Sequence, residues 1–133
     1  MSPSEKFKKG AALFEQVLGS PPPEKGPAFL RLTVENLFAD VWGREGLSIR
    51  DRRLITVTIL TMMLKEHSLE GHLQQAVASG DLQPKELQEI MIHIAHYAGW
   101  PTGSFGFDTA MKVLQAQSEK PATSEQSRTS SED

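Results

Sequence analysis

Four histidines (His67, His72, His93 and His96) and the basic run Arg50-Asp51-Arg52-Arg53, with Arg44 just upstream, are the residues best suited to chemistry in this chain of 133 residues. An imidazole changes charge near neutral pH and can give or take a proton. A guanidinium grips carboxylates in a fixed, two-pronged geometry. Together they suit proton transfer on a small acidic molecule.

Each signal has a bland reading beside the functional one. His72 falls three residues after Leu69 and four before Ala76, on or beside an apolar stripe. It is either a core histidine satisfied by one hydrogen bond or a ring facing a pocket. His93 and His96 are spaced to turn the same way on a helix, and such a pair can hold a metal. No HExxH or carboxylate-plus-histidine pattern accompanies them, so a metal site is not expected. His93 also sits one turn before Tyr97 and beside Ile90 and Ile94, which predicts a place near the buried side. The arginine run is either a solvated face or an anion site, in which guanidinium charge adds to the free N–H groups of a helix start. Trp42 ends a helix before a glycine-containing loop and is either a core plug or a pocket wall.

The composition removes several other chemistries. The chain has no cysteine, which excludes disulfides, thiolate nucleophiles and Cys-based zinc sites. The net charge of -3 has the wrong sign for a binder that neutralises nucleic-acid phosphates. The N-terminal "MSPSEKFKKG" carries no signal-like apolar run, and no segment reaches the ~18 apolar residues of a membrane span. The expected setting is cytoplasmic, without nucleic-acid or membrane partners.

The elements that must position these groups read as helices. Ser2, Pro3 and Glu5 look like a capped start, followed by Leu13, Phe14, Val17 and Leu18. A second helix begins near Pro27 and carries Phe29, Leu30, Val34, Leu37, Phe38 and Val41. Ser48 with Asp51 caps a third. There "ITVTI" alternates like a strand, but the apolar run continues to residue 64 behind a helix cap, so a helix is predicted. Because it is apolar on nearly every side, it is expected to be central and buried. Leu69, Leu73, Ala76 and Val77 stripe a fourth helix closed by Gly80. Pro84 opens a fifth with Leu87, Ile90, Ile94 and Tyr97 on one face, stopped by Gly99 and Pro101. A sixth is predicted over about 103–116. Hydrophobic content of 38% supports a real core. The expectation is one all-α domain, a compact bundle of about six helices over 1–117, with a disordered polar tail over 118–133. The third helix has more apolar surface than five short partners cover, which predicts oligomerisation.

Three stretches in this order, "FADVWGREGLSIRDRRLITVTIL", "SLEGHLQQAVASG" and "KELQEIMIHIAHYAGWP", give the chain a resemblance to the carboxymuconolactone decarboxylase family over about residues 29–114. The pattern is met by Trp42, Arg44, Gly46 and Leu47; by Arg50 and Arg52; by His72 and Gly80; and by Glu86, Leu87, Glu89, Tyr97, Ala98, Gly99 and Pro101. The resemblance is to the decarboxylase branch. The thiol-peroxidase branch typified by alkylhydroperoxidase D needs a CxxC that is absent here. It implies an alkylhydroperoxidase D-like helical fold, assembly into trimers or hexamers, and cofactor-free decarboxylation of a small lactone carboxylic acid such as 4-carboxymuconolactone, in the beta-ketoadipate pathway of aromatic-compound breakdown. In that picture His72 and His93 are catalytic. Arg44, Arg50 and Arg52 hold the anionic substrate, and Trp42 and Tyr97 line its pocket. One departure stands out: the decarboxylases usually carry Glu-Leu ahead of the histidine, and this chain has Ser68-Leu69. Two other readings therefore accompany the first: a different small-acid lyase, isomerase or hydrolase on the same pocket, or a non-enzymatic helical oligomer that binds a small anion.

Overall fold

A computed structural model describes residues 3–119. Among them there are six helices and no strand. Helix α1 (Glu5–Leu18) is capped by Ser4, whose hydroxyl accepts from the Phe7 N–H at 3.0 Å. Ser4 therefore does the work expected of Ser2, which lies outside the described residues. Helix α2 (Ala28–Leu32) starts behind Pro27 as predicted and runs on, without a break, into a π-helical segment (Thr33–Trp42). Helix α3 (Ile49–Met62) begins at the predicted cap, with the Ser48 hydroxyl accepting from the Asp51 N–H. Helices α4 (Glu66–Ala78) and α5 (Pro84–Ala98) follow. Helix α6 (Trp100–Ser118) starts earlier than its apolar pattern suggested. Pro101, read as a stop signal, sits in the first turn of α6, where its missing N–H costs nothing. Gly99, at φ 101°, makes the corner between α5 and α6. The predicted tail falls on residues 118–133: Ser118 closes α6, and residues 120–133 lie outside the described residues.

Two apolar clusters form the core. The larger joins α3, α4, α5 and α6 through Val57, Leu69, Leu73, Leu87, Met91 and Val113, among others. The smaller joins α1 to the π segment through Val17, Phe38 and Trp42, with Ile49 at its edge. The strand-like alternation in α3 is overridden. The hydroxyls of Thr56, Thr58 and Thr61 donate to the carbonyls of Arg52, Leu54 and Val57, one turn back, which lets β-branched residues sit in a helix with their polar atoms satisfied.

The expected burial of α3 is only half met. Arg53, Val57 and Thr61 are buried, while Ile55, Ile59 and Met62 are exposed. One stripe faces the bundle, and the other has no element among the described residues to lie against.

Close approach of α1 to the π segment depends on Gly10. A Cβ there would overlap the carbonyl oxygen of Val34, a backbone atom that cannot move aside alone. Gly10→Ala is expected to destabilise the fold by about 1–3 kcal/mol, the usual cost of overpacking, and to disturb the π segment. Urea denaturation followed by tryptophan fluorescence in a Trp100→Phe background, where Trp42 is the reporter, reads both effects.

Candidate functional site

The π segment turns Val34, Phe38 and Trp42 inward. π-helical turns are uncommon and gather at functional sites. Here the segment builds a column of rings. Phe38 stacks on Trp42 (centroids 6.3 Å apart, planes 13°), and Trp42 stacks on His72 of α4 (6.4 Å, 15°). Trp42 is thus both of the things its position allowed. It plugs the smaller core, being 6% exposed, and it walls one face of the His72 ring.

His72 lies half-buried at the end of this column. Its Nδ1 is buried without a hydrogen-bond partner. Turning a bare lone pair inward is cheaper than burying an N–H without an acceptor, so the neutral ring's proton belongs on Nε2. Burial pushes the imidazole below the usual histidine pKa, and the Arg53 charge pushes the same way.

The arginines divide sharply. Arg50 is already engaged, donating to the Asp81 carbonyl at 2.7 Å and gripping both carboxylate oxygens of Glu86 at 3.2 and 2.5 Å. That ion pair holds the Glu86 carboxyl below its ordinary pKa; the Gln83 N–H, closing a capping box at the start of α5, adds to the effect. Arg52 is different. Its Nε is buried without a partner, and among the described residues its side chain makes one hydrogen bond, a long one of 3.5 Å to the Arg44 carbonyl. Arg44 is exposed, two residues after Trp42.

Among the described residues, the buried side-chain polar atoms that lack a partner are two: Arg52 Nε and His72 Nδ1. Both belong to residues that touch the turn of residues 42–44, one through the Trp42 ring and the other through the Arg44 carbonyl. Each such atom costs on the order of 1–3 kcal/mol. A fold that carries two at one turn is not optimised there for stability, a common mark of a working site.

His93 and Tyr97 are not brought to this place. They stack on each other (5.1 Å, 24°), but both are exposed, Tyr97 to 86%. The expectation that they face the packed side of α5 fails, because the helix buries Leu87, Met91, Ile94 and Ala95 instead. His96 and Trp100 make a second aromatic pair nearby, edge to face at 5.5 Å. A groove of about 290 Å³ between α5 and α6, lined by Met91, Ile92, Trp100, Phe107 and Asp108 among others, contains neither His72 nor an arginine. Ser68, in the first turn of α4, has no carboxylate substitute on its own helix: Lys112 of α6 holds Glu66 and Glu70 at 3.9 and 3.3 Å. No group of three or more His, Cys, Asp or Glu side chains suited to a metal occurs among the described residues, and none of their helices is long and apolar enough to cross a membrane.

Because His72 has a lowered pKa, stability follows pH through it. The unfolded chain titrates this ring near 6.5 and the folded one lower, so the unfolded state binds more protons just below that value. Stability is then lost as pH falls below about 6.5. Urea midpoints at pH 7.5 and 5.5 are expected to drop further in the wild type than in His72→Gln. Equal drops would contradict the assignment.

Fold and site together define an all-helical protein with a histidine and an arginine beside one stacked-ring turn, the arginine without an acidic partner among the described residues. The model of the carboxymuconolactone decarboxylase family matches residues 27–111, from the cap of α2 well into α6, and the chain belongs to that family. A 4-carboxymuconolactone decarboxylase of Acinetobacter baylyi (strain ATCC 33305 / BD413 / ADP1) is 27% identical over 130 aligned residues, covering 86% of this chain and 91% of that protein.

Proposed function

We propose that this protein is a cofactor-free decarboxylase of a small lactone carboxylic acid, 4-carboxymuconolactone or a near relative, with the reaction at the Trp42–His72–Arg52 turn. The observation that carries this reading is that residues 42–44 are touched from both sides by residues with an unpartnered buried polar atom, His72 through the Trp42 ring and Arg52 through the Arg44 carbonyl. Family membership and the name of the Acinetobacter relative support the reaction type.

The chemistry needs few parts. The bond from the carboxylate carbon breaks, its electron pair runs through the ring double bond to the lactone carbonyl, and CO2 leaves. A proton then adds to carbon, so each turnover consumes one proton and releases one CO2. Arg52, with Arg44 at the rim, holds the acid. His72 first offers Nε2–H to the oxygen where charge develops, the kind of aimed donor that lowers such barriers. The anionic substrate opposes the push that keeps the ring neutral. The ring takes up a proton as the site fills and passes it to carbon, and solvent restores it. Trp42 keeps water from one face. Arg50 serves by bracing α3 against the start of α5.

The test is direct. Purified protein without added metal or cofactor is given a panel of small lactone acids and CO2 release is measured. Turnover of 4-carboxymuconolactone or a close analogue is expected. Failure of every acid to release CO2 would leave the anion-binding oligomer as the better reading.

The same reading includes self-association. The outward stripe of α3 (Ile55, Ile59, Met62) and the ring cluster of His93, Tyr97 and Trp100 on α5 and α6 are exposed, and Tyr and Trp are enriched where subunits meet. A second copy covers these surfaces in the proposed assembly. Ile59→Glu is expected to lower the mass found by sedimentation equilibrium. An unchanged mass, or a monomeric wild type, would overturn the proposed contact.

A further inference from the structure

Behind the His72 ring lies a charged group that the proposed chemistry does not use. Arg53 is 0% exposed, a rare state for a guanidinium. Its head is engaged at all three nitrogens: Nε donates to Asp81 Oδ2 at 2.7 Å, and the two terminal nitrogens donate to the carbonyls of Val17 at 3.0 Å and Gln16 at 2.9 Å. Those carbonyls belong to the last turn of α1, where a cation meets the negative end of the helix. The Gln16 carbonyl accepts a second bond, at 3.3 Å, from the side chain of Gln75, which sits one turn after His72 on α4. Arg53 thus ties α3, α1 and the loop after α4 together around one point, and α4 is fastened to the same carbonyl. A buried ion pair is an expensive way to gain stability alone.

The geometry points to the Arg53–Asp81 pair as a positioning device for His72: it fixes α4 so that the ring stacks on Trp42, and it sets a buried positive charge near that ring. The charged side chains on the helices packed against α4 are Arg50, Asp51, Arg52 and Arg53 on α3, Glu5, Lys6, Lys8, Lys9 and Glu15 on α1, and Asp108 and Lys112 on α6, with Arg44 after the π segment and Asp81 paired to Arg53. On α4 itself Glu66 and Glu70 are held by Lys112. Of these charges, Arg53 is the one that bears on His72. Its importance for catalysis rests on the role proposed for His72; its effect on the ring does not.

The experiment is an NMR pH titration of the His72 ring in the whole protein, without substrate. Arg53→Met removes the positive charge, and the His72 titration is expected to move to higher pH. Asp81→Asn leaves the Arg53 charge unopposed, and the titration is expected to move to lower pH. Arg53→Lys keeps the charge and is expected to stay nearer the wild type than Arg53→Met does. A purely structural role gives a different pattern, because loosening the seam exposes the ring and moves both titrations upward. Opposite shifts support the proposal; upward shifts in both variants, or none in either, overturn it. Should Arg53→Met fail to fold, Asp81→Asn decides alone: a downward shift supports the proposal, and an upward or absent shift overturns it. None of these readings depends on turnover, so a protein that decarboxylates nothing can still show the effect.

Discussion

His72→Gln abolishes most of the turnover of the lactone acid, by a factor on the order of 100 to 10,000, the usual span for a positioned acid–base group, and leaves the fold intact. The fold survives because, among the described residues, the His72 ring has no hydrogen bond that its loss would break: its Nδ1 is already without a partner. Glutamine keeps a polar head of similar reach against the Trp42 face but cannot carry a proton to carbon. The loss is expected in kcat more than in KM, since the ring acts on charge that appears during the reaction. Steady-state kinetics beside a thermal melt separate the two effects. Full activity in a folded variant would remove His72 from the chemistry.

Arg52→Gln lowers kcat/KM by roughly 10- to 100-fold, mainly through KM, as expected for one lost charged hydrogen bond. It does not lower stability, because the substitution removes a buried N–H that has no acceptor. Arg50→Gln behaves in the opposite way. Arg50 is bound to the Asp81 carbonyl and to both oxygens of Glu86, so its removal loosens the junction of α3 with the start of α5 and the melt moves down. Two arginines two residues apart thus have separable signatures. If both variants lose stability and neither changes KM, the acid is held elsewhere.

How far the sequence reveals this arrangement depends on the residue. Caps and breakers act locally, so Ser48, Pro27 and Pro84 mark their helix starts where the structure has them. The all-helical class follows from apolar spacing that neighbouring elements reinforce. The π segment is hidden, since Val34, Phe38 and Trp42 have ordinary helical spacing and no local signal marks a widened turn. The two faces of α3 are hidden for a related reason: both are apolar, and only the neighbours decide which is covered. Arg53 escapes notice inside "RDRR", where a solvated face is the common outcome. A signal existed, because Arg53, Val57 and Thr61 recur every four residues, so the arginine lies on the stripe that faces inward. His93 and Tyr97 show the reverse. Their spacing beside Ile90 and Ile94 suggested a buried pocket, and the helix turns them outward.

The central claim is that a lactone acid binds at the Trp42 turn, held by Arg52 and reached by the Nε2–H of His72. A saturated analogue, which keeps the carboxylates but has no double bond to receive electrons, binds without reacting. Nitrogen-15 NMR during its titration follows the His72 ring and the Arg52 Nε–H together. The predicted result is that both signals shift along one binding curve and that the His72 titration moves to higher pH in the complex. Binding of the analogue with both signals unmoved would contradict the account.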